Sequence, residues 1–225
     1  EPLGRGTASC IGLASLHIRN LDPEAVIAVV TADHHVEDVD GFGQGLASAT
    51  AVAQEGYLVT LGITPAYAST GYGYIQMGSQ LDVGGSLPVY RAVAFTEKPD
   101  AERAREFLNA GTFVWNSGMF IWRADRILEE IATWMPALDV ILQDLDTVWG
   151  TVGFKSRLAD VWPTLEKQTI DYGVMERAAR VAVIPVEMGW SDIGTWSSVM
   201  EIYDADDEGN VLLGDVLALD SEDTM

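Results

Sequence analysis

Apolar side chains recur along this chain with two periods, and the alternation between them predicts an α/β order. Residues 7 to 19 carry Ile11, Ala14 and Ile18 on one helical face, with Thr7 or Ser9 placed as an N-cap. After the turn "LDPE" comes "AVIAVVT", 25 to 31, a continuous apolar run of strand length. Phe42, Leu46, Ala49 and Ala53 return to helical spacing over 39 to 55, and Gly56 stops that helix. "YLVTLGI", 57 to 63, is a second apolar strand. Strand, helix and strand in this order predict a crossover unit with parallel pairing, in a sheet covered on both faces.

Further strands are expected at about 72 to 77 and 89 to 96, in "GMFIW", and in "VAVIPV", 181 to 186. "DAERAREFLNAG" reads as a short helix with Asp100 as N-cap and Gly111 as C-cap. Amphipathic helices are expected at 124 to 134 and 137 to 149, divided by Pro136, and a short one after "DIG". "NVLLGDVLALD" reads as a return to strand, so that about 209 to 225 would begin a C-terminal β segment. No repeat, low-complexity tract or linker interrupts the chain, which reads as a single α/β domain over 1 to 225 with a mainly parallel sheet.

Composition narrows the function classes. The 225 residues are 48% apolar and 21% charged, ordinary for a globular domain. No apolar run approaches the roughly 20 residues that span a bilayer, and the opening "EPLGRGTAS" is not a signal peptide. Cys10 is the lone cysteine, which excludes an internal disulfide and a Cys-rich zinc site and is compatible with a reducing cytoplasm. With 34 acidic against 13 basic residues the net charge is −21. That field repels polyanions and argues against nucleic acid as a partner. Small anionic ligands remain open if a metal ion and a few local cations offset it.

Candidate chemistry lies at strand ends. In open parallel sheets ligands sit beyond the carboxyl ends of the strands. Asp33 follows one such end and Asp192, in "EMGWSDIG", another. Two carboxylates there suit Mg²⁺ if phosphate oxygens complete its shell. A turn aspartate is the plainer reading of Asp33 taken alone. His34 and His35 face opposite ways on an extended segment, so only one of them can join Asp33. "GFGQG", 41 to 45, lies inside a helix-period segment and lacks the strand–turn–helix context of a dinucleotide loop. "TGYGYI", 70 to 75, places glycines where a ligand could approach the backbone. "FTEKPD", 95 to 100, offers Glu97 for sugar hydroxyls and Lys98 for a phosphate, and "WNSGMF", 115 to 120, sets the polar Asn116 among aromatic neighbours.

Together, "EPLGRGTAS", "TADH", "TGYGYI", "FTEKPD", "WNSGMF", "IDYGVMER" and "GWSDIGTW" resemble, in order, the mannose-1-phosphate guanylyltransferases, from residue 1 to about residue 220. The resemblance implies a Rossmann-like nucleotidyltransferase fold that joins GTP and α-mannose 1-phosphate into GDP-mannose, with Mg²⁺. Carried over by motif, Asp33 and Asp192 become metal ligands. Gly73, Glu97 and Asn116 become sugar contacts, and Lys98 the contact to the sugar phosphate. Gly6 and Thr7 fall where the family holds guanine, and Asp171 falls on a further motif position. The family usually has Asn in place of Gly6 and Pro in place of Ser9, which bears on base selectivity. Its first strand and Gly-rich triphosphate loop have no counterpart here, so the chain is expected to be an internal fragment, with dimerisation or strand exchange covering the exposed sheet edge. A non-catalytic sugar-phosphate-binding module, a transferase for another base or sugar, and a metal hydrolase stand as alternatives.

Overall fold

The computed structural model describes residues 1–200 and 202–225. In chain order its helices are α1 (Thr7–Leu21), α2 (Val39–Gln54), α3 (Ala101–Ala110), α4 (Ala124–Trp134), α5 (Pro136–Thr147), α6 (Phe154–Val161) and α7 (Trp196–Met200). The strands are β1 (Val26–Val29), β2 (His35–Val36), β3 (Leu58–Ile63), β4 (Tyr74–Gln80), β5 (Tyr90–Thr96), β6 (Phe113–Arg123), β7 (Val181–Val186) and β8 (Trp190–Ser191). A 3₁₀ turn at Trp162–Thr164 and a π-helical turn at Asp171–Met175 lie between α6 and β7.

The apolar runs form strands because both of their faces are covered. Leu58, Phe120, Trp122 and Val181 point to one side, into a core shared with Ile11 and Leu16 of α1, Ile127 and Ile131 of α4, and Leu138 and Leu142 of α5. Val59, Leu61, Ile121, Ala182 and Ile184 alternate with them and point to the other side, against Ala49, Val52 and Ala53 of α2 and Ala104 of α3. Such two-sided burial removes polar positions from the strand pattern. Asp100 caps α3 by accepting a hydrogen bond from the Arg103 backbone N–H at 2.9 Å, and Gly111 ends that helix in left-handed backbone, φ 65°.

The sheet order is β1-β6-β3-β7-β5-β4, with β6 also pairing β4. The fold is α/β with a mixed sheet, as expected, but strand neighbours differ from the crossover prediction. β1 and β3 do run parallel, yet the antiparallel β6 lies between them, so they exchange no hydrogen bonds. Among the described residues only β3 and β7 pair directly in parallel. Following the pairings, β1, β3, β4 and β7 run one way and β5 and β6 the other. Burial drives this: an 11-residue strand with a mostly buried pattern can satisfy β1 and β4 on one edge and β3 on the other.

Because β6 pairs β4, the strands β3, β6, β4, β5 and β7 close into a ring. Ile75, Val114 and Val183 fill its interior. Gly62 makes that filling possible, since a Cβ there would lie 2.4 Å from a Val114 methyl and 2.8 Å from one of Val183.

Two local expectations need correction. Gly6, not Thr7 or Ser9, is the N-cap of α1, and the Thr7 hydroxyl instead accepts a hydrogen bond from the Ile170 N–H at 2.9 Å. Residues 209–225 form no strand. The apolar residues Leu213, Val216, Leu217 and Leu219 stay exposed. Turns hold this tail instead: the buried Asn210 donates from Nδ2 to the Ser221 carbonyl at 2.8 Å, and the Val211 N–H donates to Thr224 at 2.8 Å.

Candidate active site

β1, β3 and β7 end at one rim of the sheet, and β4 begins beside it. The loops that follow these strands meet there. β2 pairs β8 antiparallel, His35 opposite Ser191 and Val36 opposite Trp190. Carried one residue further, that register sets His34 opposite Asp192 and brings Asp33 alongside. Burial pushes the His34 imidazole below the ordinary histidine range, opposed by the charges of Asp33 and Asp192. His34 faces the cleft and His35 a second hollow behind it, as expected for neighbours on an extended segment.

The cleft has a volume of about 270 Å³. Gly73, Glu97, Asn116, Asp171 and Asp192 all line it, together with Thr31, His34, Tyr72, Tyr172 and Trp190. Asp33 is exposed and is not part of the cleft wall. Lys98 is exposed beside Glu97, outside the cleft wall. Gly6 and Thr7 are not on the wall either. They are stitched to residues 168–170 behind it, through Ala8 N–H to the Gln168 carbonyl at 3.2 Å and Gln168 N–H to the Arg5 carbonyl at 3.2 Å.

A bulge aims Asn116. Between Thr60 and Gly62 the β3–β6 register shifts, from Thr60 opposite Phe120 to Gly62 opposite Asn116. The surplus residues of β6 loop over the rim through Gly118, φ 70°. Ser117 turns inward and donates to the Leu61 carbonyl at 2.6 Å. Asn116 Nδ2 donates to Asp171 Oδ1 at 2.9 Å, and its Oδ1 accepts from the Gly118 N–H at 3.2 Å. The amide thereby fixes one Asp171 oxygen and leaves the other to the cleft.

Gly73 serves close approach. A Cβ at this position would lie 2.5 Å from Glu97 Oε2. The carboxylate therefore rests where only a bare backbone leaves room. Glu97, Asp171 and Glu176 share this wall. Burial, reinforced by Asp171 and opposed by Lys98, pushes Glu97 above the ordinary glutamate range. Burial, then the charges of Asp171 and Glu97, do the same to Glu176. A raised folded-state pKa means that the charged forms cost stability, fully above that pKa and not at all below the ordinary unfolded one. Glu176→Gln is therefore expected to raise the melting temperature of the unliganded protein by about 1–3 °C at neutral pH, given solvent screening. The gain should vanish as the pH falls below the ordinary glutamate range, which thermal melts across pH would reveal.

Asp192 is held from two sides. Its Oδ1 accepts from the Tyr72 hydroxyl at 3.0 Å and from the Gly194 N–H at 3.2 Å. Burial and this bond push the Tyr72 phenol far up, so it stays a donor. Next to Asp192, the β-branched Ile193 adopts φ 49°, and Lys98 adopts φ 44°. Left-handed backbone outside glycine costs about 1–3 kcal/mol per residue and collects at functional sites. Trp190 packs edge-on against both Tyr72 and His34, and Tyr72 against Trp115.

Tyr72 and Trp190 escape a reading of the sequence as site residues, and His34 enters it only as one of two histidines that could join Asp33. Tyr72 and His34 reach partners 120 and 156 positions away, which no spacing reveals. The signal available was their place inside "TGYGYI", "TADH" and "GWSDIG".

A family model described as nucleotidyl transferase matches residues 1–209. The chain belongs to the nucleotidyl transferase family. Among curated relatives, a mannose-1-phosphate guanylyltransferase of Escherichia coli K12 is 39% identical over 220 residues, covering 96% of this chain and 46% of that protein. One of Klebsiella pneumoniae is 38% identical over 223 residues, covering 99% and 47%. The chain thus spans about half the length of the curated relatives it matches. A solved structure from Thermus thermophilus, described as a mannose-1-phosphate geranyltransferase, superposes with a TM-score of 0.82 at 33% identity, over 95% of this chain and 60% of that one. Among the described residues no helix is long and apolar enough to cross a membrane.

Proposed function

We propose that this domain carries the transfer site of a mannose-1-phosphate guanylyltransferase, which converts GTP and α-D-mannose 1-phosphate into GDP-mannose and diphosphate. The observation that carries this reading is one cleft with two differently equipped ends. Asp192 and His34 line one end, and Asp33 adjoins His34 in the chain. Gly73, Glu97, Asn116 and Asp171 line the other.

The acidic end suits a sugar. Ionised carboxylates only accept hydrogen bonds, and a hexose presents a ring of hydroxyl donors. Glu97 and Asp171 take this role, Asn116 holds Asp171 in place, and Gly73 admits Glu97. Lys98, beside Glu97, is the cation closest at hand for the sugar phosphate. Gly6 and Thr7, behind the wall, are assigned to guanine through the segment 168–170 that they brace.

The other end suits a divalent cation, Mg²⁺ in this reading. Among the described residues no three His, Cys, Asp or Glu side chains group as a cation cage. Asp33 is open to solvent, and among the described residues Asp192 is bonded through Oδ1, with no partner for Oδ2. Two hard carboxylate ligands fit a cation whose other ligands are water and substrate phosphate. Bound there, the cation would neutralise charge on the phosphate oxygens.

In the transfer itself, a nonbridging oxygen of the sugar phosphate attacks the α-phosphorus of GTP. A new P–O bond forms, the bond between the α-phosphorus and the α–β bridging oxygen breaks, and its electron pair leaves with diphosphate. With a second pKa of about 6 the monoester is already dianionic at neutral pH, so no general base is needed. The residues of the cleft contribute alignment and electrostatics. A cytoplasmic setting and a homodimer belong to the same reading.

The test is turnover. The protein is mixed with Mg²⁺, a panel of nucleoside triphosphates and a panel of hexose 1-phosphates, and diphosphate release is followed. Release that needs both GTP and mannose 1-phosphate is expected. Release without a sugar phosphate would favour a hydrolase, and preference for another pair would reassign base or sugar.

A further inference from the structure

His34 lines the cleft, and its two ring nitrogens are not equivalent. Nδ1 accepts a hydrogen bond from the Trp190 indole N–H at 3.0 Å. An indole nitrogen is donor only, so Nδ1 carries no proton and the ring's N–H must be at Nε2. Trp190 also packs edge-on against the imidazole, with ring centres 5.2 Å apart, which fixes the plane of the ring. Among the described residues Nε2 has no hydrogen-bond partner, while the ring itself lines the cleft together with Asp192.

A cation in this position would pair with Asp33 or Asp192 and be lost to the ligand. A neutral ring with a fixed N–H is different. It offers an anion a directed donor in a cleft otherwise walled by Glu97, Asp171 and Asp192. It also adds no charge that would compete with a divalent cation for the carboxylates. The partner that matches is a phosphoryl oxygen lying between Asp33 and Asp192.

We propose that His34 is a substrate-contacting residue that donates its Nε2–H to a phosphoryl oxygen of the bound substrate, and that Trp190 is a positioning residue that sets the donor tautomer. The proposal rests on the nucleotidyl-transfer reading above. The phosphoryl oxygen belongs either to the sugar phosphate or to the nucleotide, and the two are separated by experiment.

Nitrogen-15 NMR of the histidine ring reads the tautomer directly. The unliganded protein should show His34 protonated at Nε2, and Trp190→Phe should yield a mixture of tautomers without loss of fold. Addition of mannose 1-phosphate alone, or of GTP alone, should shift the His34 Nε2–H signal, and whichever does so identifies the phosphate. His34→Leu should lower kcat/KM by about 10- to 100-fold, as expected for a hydrogen bond to a charged group. His34→Gln, which keeps an N–H donor, should recover part of the loss. A proton found on Nδ1, or an unshifted Nε2 signal while both ligands bind, would overturn the role of His34 and leave the transfer reading intact. Failure of the wild-type protein to bind either ligand would overturn both.

Discussion

Asp192→Asn is expected to lower kcat by about 10³-fold while leaving the fold in place. The size follows from losing one charged ligand at the point where phosphate charge is gathered; three decades correspond to roughly 4 kcal/mol at about 1.36 kcal/mol each. The fold should be indifferent. Asn keeps an oxygen that can accept the hydrogen bonds now made by Tyr72 at 3.0 Å and Gly194 at 3.2 Å. Removing a negative charge also relieves a protein of net charge −21. Steady-state kinetics beside a thermal melt would separate the two effects. Near-normal turnover would take Asp192 out of metal binding, and a collapsed melting temperature would make it a structural residue.

Gly73→Ala is expected to act through a different side chain. The new methyl would fall 2.5 Å from Glu97 Oε2. That oxygen ends a flexible side chain, so the carboxylate can swing away at little cost to folding. The consequence is then functional: a sugar-accepting oxygen moves by about 1 Å or more, and a misplacement of that size costs about 10²-fold. The loss should fall on kcat/KM for the sugar phosphate and spare nucleotide affinity. A double-mutant cycle with Glu97→Ala makes the argument specific. If Gly73 matters only because it admits Glu97, the double variant should be no worse than Glu97→Ala alone. Additive losses would mean that the Gly73 backbone itself meets the ligand.

Much of the fold was readable from apolar periodicity, and the failures share one cause. The strand at 181 to 186 and the caps of α3 at Asp100 and Gly111 stand where local pattern puts them. These features depend on which residues are apolar, or on one side chain meeting a backbone N–H three residues away. Strand adjacency depends on neither. β6 inserts between β1 and β3 because its length lets it serve three neighbours, a property of the assembled sheet. The same strand begins at Phe113, before "GMFIW", since the polar Asn116 and Ser117 that interrupt the pattern are the bulge that reaches the cleft. In the tail, the apolar residues from Leu213 to Leu219 form no strand and stay exposed.

The candidate site divides in the same way. Motif positions put Gly73, Glu97, Asn116, Asp171 and Asp192 around one cleft. Lys98, Gly6 and Thr7 lie off it, and their assigned roles call for a ligand or a side-chain movement to bring them in. What the sequence could not display was the bracing: the Tyr72 hydroxyl on Asp192, the Trp190 indole on His34, the Asn116 amide on Asp171. Each joins segments far apart in the chain, and each fixes the orientation of a group whose identity alone was visible.

The convergence of Asp33 and Asp192 on one cation carries the whole functional account. It is tested most directly by a crystal structure grown with Mn²⁺ in place of Mg²⁺ and with GDP-mannose, located by the anomalous signal of the metal. The account predicts one peak in contact with carboxylate oxygens of both Asp33 and Asp192, at about 2.1 Å, with a phosphate oxygen in the same shell. A peak on either aspartate alone, or in the hollow of Glu37 and Asp204 behind the β2–β8 ribbon, would contradict it.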